Sequence, residues 1–245
     1  MTLKRHLPNL LTLGNLLCGT IAVIFALKND FEVTFMLVLL GIVFDFFDGF
    51  VARLLGVQAE LGKQLDSLAD MVTSGVVPGI VMYQLFIASI QTDAVGYFGF
   101  NFATPTGSYL PYVGLLLTLA ACYRLAKFNI DTRQTDSFIG LPTPAMSLFV
   151  VSLPLLALLE SSFLAMLVLE PAFLLVVTLL FSYLMNAELP LFAFKFKSYG
   201  FKENTLRYLF ILVSVVLILC CKIVAVPLII LLYVLTSAIK HGLKK

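Results

Sequence analysis

Four carboxylates stand in the stretch FDFFDGFVARLLGVQAELGKQLDSLADMVTSG, residues 44–75: Asp45, Asp48, Asp66 and Asp70. Helix positions three or four apart share a face, with Cβ atoms about 5–6 Å from one another. Asp45 and Asp48 make one such pair, Asp66 and Asp70 the other. The connection from Arg53 to Lys63 is short and contains Gly56 and Gly62, so the two helices are expected to be antiparallel neighbours. With Arg53 and Lys63 near the interface and a rise of about 1.5 Å per residue, Asp45 and Asp70 lie about 12 and 11 Å inward, Asp48 and Asp66 about 8 and 5 Å. The heights match, so all four carboxylates converge on one small volume.

Crowded, ionised carboxylates repel each other and lose hydration, and they persist only beside cations or water or with some of them protonated. Arg53 alone cannot neutralise four, and hard divalent ions are natural partners for carboxylate oxygens. Four carboxylates suffice for two ions, Mg²⁺ or Mn²⁺, about 3.5–4 Å apart. Such a site serves displacement at phosphorus, with a carboxylate within reach to take a proton from the attacking hydroxyl. Asp70 is the deepest aspartate of its helix, but spacing alone does not choose it over Asp66 as the base. Solvated helix-end aspartates or intramembrane salt bridges would account for one or two of these residues, not for four in this register.

The elements that must hold this cluster are membrane helices. The chain of 245 residues is 60% hydrophobic and 12% charged, far from the composition of a soluble domain. Its fold class is therefore all-α, a polytopic integral membrane bundle. Eight apolar segments approach the roughly 20 residues a span requires: about 8–27, 33–54, 64–90, 109–128, 143–159, 171–186, 205–221 and 224–239. Pro154, Glu160, Glu170 and Pro171 interrupt the fifth and sixth, and Lys222 alone separates the last two, so six or seven spans are the alternatives. With the amino terminus inside, 14 of the 16 Lys and Arg residues fall on the cytoplasmic side, leaving Lys28 and Lys222 outside. Both termini and the aspartates are thus expected at the cytoplasmic face. The first span lacks a small-residue cleavage site and is expected to be retained. A net charge of +2 excludes a strong case for nucleic acid. One integral domain over 1–245 is the simplest division.

Polar residues elsewhere are few. Asn9, Thr12 and Asn15 recur every three residues on the first helix, a stripe that lines a site or joins helices. Gly49 and Ala52 follow Asp48 on the same turns, where small side chains admit a ligand or a neighbouring helix. Arg124 and Lys127 sit one turn apart near the cytoplasmic interface; an arginine there binds a carboxylate or phosphate through two parallel hydrogen bonds, whereas Lys127 is expected to be an interfacial anchor. Gly140, Pro142 and Pro144 are expected to form a rigid turn into the span at 143. The loop 91–109 has no Lys or Arg and reads as external, and AELPLFAFKFKSYGFKEN, 187–204, as an interfacial stretch on the cytoplasmic face. Cys18, Cys122, Cys220 and Cys221, like His6 and His241, lack ligand spacing.

In full, the pattern Asp45-x2-Asp48-Gly49-x2-Ala52-Arg53-x8-Gly62-x3-Asp66-x3-Asp70 resembles the signature of the CDP-alcohol phosphatidyltransferases, with every fixed position filled. The resemblance implies a six-helix core, here about 8–186, with extra C-terminal helices at about 205–239, and a homodimer. It implies transfer of a phosphatidyl-type group from a CDP-linked lipid to an alcohol, with release of CMP. It further implies that Asp45, Asp48, Asp66 and Asp70 hold two divalent ions and that Asp70 is the general base. Gly49, Ala52, Arg53 and Gly62 correspond to positions lining the cytidine and diphosphate site, to which the face of Asn9 and Thr12 is added as the CDP-lipid side.

Three further segments resemble the phosphatidylserine synthase branch of that family: LPNLLTLGNLLCG at 7–19, RLAKFN at 124–129 and FIGLPTPA at 138–145, with a weaker SYLMN at 182–186. Asn15 stands where relatives using glycerol phosphate often carry arginine. The expected donor is CDP-diacylglycerol and the expected acceptor L-serine, bound by Asn15, Arg124 and Asn129. The alternatives are a sister enzyme using glycerol 3-phosphate, inositol or another alcohol, and, from a different class, a cation transporter whose aspartates bind the ion.

Overall fold

In the computed structural model, which describes residues 6–57, 59–91, 109–131, 138–158, 163–191 and 200–242, the first two helices are separated and ended by residues suited to those turns. The first helix, α1 (His6–Leu27), reverses at Asn29, a residue type that tolerates its φ of 59°. The side chain of Asp30 then accepts a hydrogen bond from the Val33 amide at 3.2 Å and starts α2 (Phe31–Leu55). That helix ends at Gly56, whose left-handed φ of 62° suits glycine and brings its amide to the Arg53 carbonyl at 3.2 Å.

The segment expected to be one span at 64–90 is helical throughout but changes type in the middle. It comprises α3 (Glu60–Asp70), a π-helical stretch (Met71–Val76) and α4 (Val77–Gln91). A 3₁₀ turn (Leu110–Leu115) leads into α5 (Leu116–Ile130). Next come β1 (Phe138–Ile139), α6 (Thr143–Ala157), a six-residue α7 (Phe163–Val168), α8 (Pro171–Asn186) and β2 (Pro190–Leu191). The chain closes with α9 (Phe201–Cys221), a 3₁₀ turn (Lys222–Val224) and α10 (Ala225–Gly242). Each of the eight expected spans has a helical counterpart.

The two strands are two-residue clips in an otherwise helical molecule, paired antiparallel with Phe138 opposite Leu191. Beside them Gly140 has a φ of 77° and a Cβ there would meet the Met185 carbonyl, so only glycine fits. Pro142 caps α6 and Pro144 occupies its first turn, which gives the rigid entry the sequence predicts. The apolar core is centred on α4, α6, α8 and α10, with Phe149 of α6 stacked on Phe181 of α8 at 4.3 Å between ring centroids.

Five helical runs are long and apolar enough to cross a membrane, and α6 and α8 are shorter apolar helices, so the chain is an integral membrane protein. The last run, Arg207–Ile239, doubles back. Lys222 leaves the helical region with a φ of 49°, and Phe210 and Tyr233, nearly equidistant from that break, lie edge to face at 6.0 Å. The exposed surface carries large apolar side chains such as Leu17, Met36, Phe46 and Leu219, as contact with lipid tails requires.

α1 packs along both α2 and α3, while α2 and α3 make few close backbone approaches to each other. The expected antiparallel pair is therefore a pair that faces across a gap, with α1 as the common wall. Named contacts gather the start of α1, the end of α2, the start of α3 and the ends of α5 and α8 at one end of the bundle: His6, Arg53 and Lys63 border one cavity, Lys63 Nζ donates to the Asn129 carbonyl at 2.6 Å, and Lys127 lies 3.8 Å from Glu188. The predicted external loop at 92–108 and most of the predicted interfacial stretch, 192–199, lie outside the described residues.

Candidate active site

The site is built by three helices that each contribute polar atoms at helical spacing. Asp45 and Asp48 project from one face of α2, and Asp66 projects from α3 across the gap. One carboxylate oxygen from each lies within 4.8 Å of the other two. Asp48 is buried, and the Thr12 hydroxyl of α1 donates to its Oδ2 at 2.5 Å. Asp66 Oδ1 is buried without a hydrogen-bond partner among the described residues. A buried carboxylate oxygen left without a donor is costly. Three hard oxygen donors at this separation, one of them orphaned, fit a cation of the Mg²⁺ type, so the residues present suit a metal site.

Asp70 stands apart from that trio. It is buried on the last turn of α3, and its Oδ1 accepts a hydrogen bond from Asn15 Nδ2 at 3.1 Å. It remains within electrostatic range of Asp45, Asp48 and Asp66, and of the Arg124 guanidinium on α5. Arg124 is itself buried and makes no ion pair with Asp70, although each acts on the other electrostatically. The four aspartates thus divide three to one, a division that height along the helices did not reveal.

The π-helical stretch begins at the residue after Asp70. Its wider turn leaves carbonyls outside the regular ladder, and side chains from neighbouring helices meet two of them: Thr118 Oγ1 donates to the Gly75 carbonyl at 2.9 Å and Ser147 Oγ to the Thr73 carbonyl at 3.4 Å. Thr73 Oγ1 in turn donates to the Asn15 carbonyl at 3.1 Å. Gly41 permits this approach, since a Cβ there would lie 2.8 Å from both Asn15 Oδ1 and Thr73 Cγ2. The residue that touches Asp70 is therefore fastened from behind by the same stretch that follows Asp70.

A cavity of about 770 Å³ opens on the carboxylate trio at the cation-rich end of the bundle. Asp48 and Asp66 form part of its wall, and Asn9, Thr12, Gly49, Ala52, Arg53 and Gly62 line it. These six are the full set that the sequence assigns to the CDP-lipid. The tightness at Gly62 is real but small: a Cβ there would touch Asn9 Oδ1 at 3.4 Å.

The three residues assigned to the acceptor do not border that cavity. Asn15 and Arg124 approach Asp70 from two sides, as described. Asn129 does something else: its Nδ2 donates to Ser67 Oγ at 2.8 Å, and its carbonyl accepts from Lys63. It clasps α5 to α3 beside Asp66, so its side chain is already engaged in holding the helices together. Lys127, ion-paired with Glu188, behaves as a partly exposed anchor. Thr73, Ser67, Thr118 and Ser147 escaped sequence reasoning. Hydroxyl residues are common in membrane helices, and only their position after Asp70 or one helical contact away singles them out.

A family model described as CDP-alcohol phosphatidyltransferase matches residues 5–183, which include α1 to α7 and most of α8 and leave the α9–α10 hairpin outside. A Bacillus subtilis protein named CDP-diacylglycerol--serine O-phosphatidyltransferase is 32% identical over 153 residues, covering 61% of this chain and 75% of that protein. A Helicobacter pylori protein of the same name is 35% identical over 146 residues, covering 59% of this chain and 55% of the relative. An archaetidylserine synthase of Methanothermobacter thermautotrophicus is 31% identical over 149 residues, or 60% of this chain and 56% of the relative.

Proposed function

The chain belongs to the CDP-alcohol phosphatidyltransferase family, and on that premise we propose that it transfers phosphatidyl from CDP-diacylglycerol to the hydroxyl of L-serine, giving phosphatidylserine and CMP. The observation that carries the reading is the juxtaposition of three carboxylate oxygens within 4.8 Å with a cavity lined by every residue assigned to the nucleotide. The names of the relatives support serine as the acceptor.

Asp45, Asp48 and Asp66 would hold two divalent ions, Mg²⁺ or Mn²⁺, with Asp70 completing the set. Bound there, the ions supply neutralisation of the diphosphate and of the departing CMP. The small faces of Gly49, Ala52 and Gly62 let the nucleotide approach the helices, and Arg53 at the mouth adds a positive charge. Asn15 fixes the rotamer of Asp70, which takes the proton of the serine hydroxyl as that oxygen attacks phosphorus. Arg124 binds the serine carboxylate in the space between itself and Asp70. The lipid-facing exterior allows both acyl chains to stay in the leaflet during transfer.

The gathering of Arg53, Lys63, Arg124 and Lys127 near one end supports a site that faces the cytoplasm, with both termini on that side. We also infer a single integral domain and a homodimer, the latter testable by light scattering in detergent. The decisive experiment supplies purified protein with CDP-diacylglycerol and, in turn, serine, glycerol 3-phosphate and inositol. Serine-dependent CMP release is the expected result; release with inositol or glycerol 3-phosphate but not serine would overturn the acceptor. Inversion at a chiral phosphorus would mark a direct displacement, and retention a phosphatidyl-enzyme intermediate.

A further inference from the structure

We propose that Asn186, on the last turn of α8, is a positioning residue that holds the Arg124 guanidinium through one bridging water and thereby sets the affinity for the acceptor. The inference rests on the reading of Arg124 as the ligand of the acceptor carboxylate. Asn186 lies beyond residue 183, where the family match ends, and closes the SYLMN segment at 182–186, whose resemblance assigns it no role.

Two unpartnered buried atoms motivate it. Arg124 is 7% exposed, and its Nε–H has no acceptor among the described residues. Asn186 Oδ1 is buried and has no donor. The orientation of the Asn186 amide is fixed by chemistry, because its nitrogen donates to the Ala120 carbonyl at 3.1 Å and the Ser182 carbonyl at 3.2 Å. A flipped amide would set its oxygen against both carbonyls, so Oδ1 must be the free acceptor.

Both residues line the same cavity of about 10 Å³. That is close to the volume one water needs, and a water must find polar partners to stay. Here it would accept from Arg124 Nε–H and donate to Asn186 Oδ1, satisfying an orphan at each end. The guanidinium has other neighbours as well. The Phe128 ring lies under it at 5.6 Å, Asp70 and Tyr233 act on it electrostatically, and Lys127 is ion-paired with Glu188. An arginine head so held presents its terminal nitrogens in one orientation, which is what a bidentate carboxylate contact demands.

Two variants separate this role from simple helix packing. Asn186→Ala removes both the amide donor that ties α8 to α5 and the oxygen that faces the cavity. Asn186→Asp loses the donor but keeps an acceptor oxygen. In serine-dependent CMP release, Asn186→Ala should raise the serine KM about tenfold, with kcat and the CDP-diacylglycerol KM within about twofold of wild type. Asn186→Asp keeps an oxygen toward the cavity at the cost of setting its other oxygen against the Ala120 and Ser182 carbonyls, so it should recover part of that loss. A serine KM unchanged in Asn186→Ala, an equal loss in both variants, or a parallel rise in the CDP-diacylglycerol KM would each overturn the inference while leaving the proposed function standing. Absence of serine-dependent release from the wild-type protein would instead overturn the proposed function, and this inference with it.

Discussion

Asp70 has two unlike flanks. Toward α1 and α2 the polar residues Asn9, Thr12 and Asp48 border about 770 Å³ of open space, with the Thr12 hydroxyl against Asp48, while Asn15, off that cavity, donates to Asp70. Toward α5 and α8 the space beside Arg124 shrinks to about 10 Å³, closed by Phe128, Met185 and Asn186. One flank is shaped to admit a large, highly charged group; the other is shaped to fix a single positive charge. In the proposed reaction the open flank would take the nucleotide diphosphate, while the closed flank would only steady the arginine that meets the acceptor. The difference implies that damage on the two flanks should read out in different kinetic parameters.

The largest effects fall on the carboxylates. Asp70→Asn keeps the shape of the side chain and the contact to Asn15 but removes the base, so CMP release should fall by about 10²–10⁴-fold with CDP-diacylglycerol binding largely retained. Asp48→Asn should weaken metal and nucleotide binding together, because that oxygen belongs to the trio within 4.8 Å. Equilibrium binding of the CDP-lipid, measured beside turnover, separates the two. Near-normal turnover in both variants would refute the metal assignment. Chelation of divalent ions should abolish turnover in the wild type, and Mg²⁺ or Mn²⁺ should restore it; full activity in the chelator would refute the same assignment from the other direction.

A smaller effect tests what stands behind Asp70. In Gly41→Ala the new methyl would press on Asn15 and Thr73, and the cost of overpacking is about 1–3 kcal/mol. The expected result is a lower Tm together with a drop in kcat, since Asn15 can no longer hold Asp70 in place. A lower Tm with unchanged kcat would show that the contact from Asn15 is structural alone.

How much of this was legible in the sequence differs by flank. The open flank was written in spacing: Asp45, Asp48 and Asp66 recur at helical intervals in an apolar context, and Asn9, Thr12 and Asn15 repeat every three residues, so one face of each helix could be assigned directly. The separation of Asp70 from the trio was not legible, because rise along a helix fixes height but not the rotation that the π-helical stretch and α1 impose. Asn129 was placed in the site by its motif, yet it clasps α3 through Ser67, a contact between residues 62 positions apart. Asn186 ends the SYLMN segment, but its role was hidden for the same reason: it depends on α8 reaching α5, a packing that no local pattern encodes.

The smallest effect is expected farthest from the chemistry, in the hairpin of α9 and α10. Only 17% of the most apolar window of Arg207–Ile239 is buried in the protein, the same share as for Phe31–Leu55 and against 56% for Glu60–Ile90, so most of the hairpin's surface faces outward, and unlike α2 it brings no carboxylate to the trio. Its bend depends on Lys222, whose φ of 49° and ψ of −120° form a backbone state natural to glycine and strained for other residues. Lys222→Gly should relieve that strain, offset in part by the greater freedom of glycine in the unfolded chain, for a net gain of at most about 1 kcal/mol. A slightly higher Tm with serine and CDP-diacylglycerol kinetics within about twofold of wild type is the expected outcome. Tyr233 of α10 lies within electrostatic range of Arg124, which gives the hairpin one route to the acceptor flank. A marked change in the serine KM of Lys222→Gly would mean that the angle of the hairpin is transmitted along that route, and the division between a reactive amino-terminal region and a passive carboxy-terminal wall would have to be redrawn.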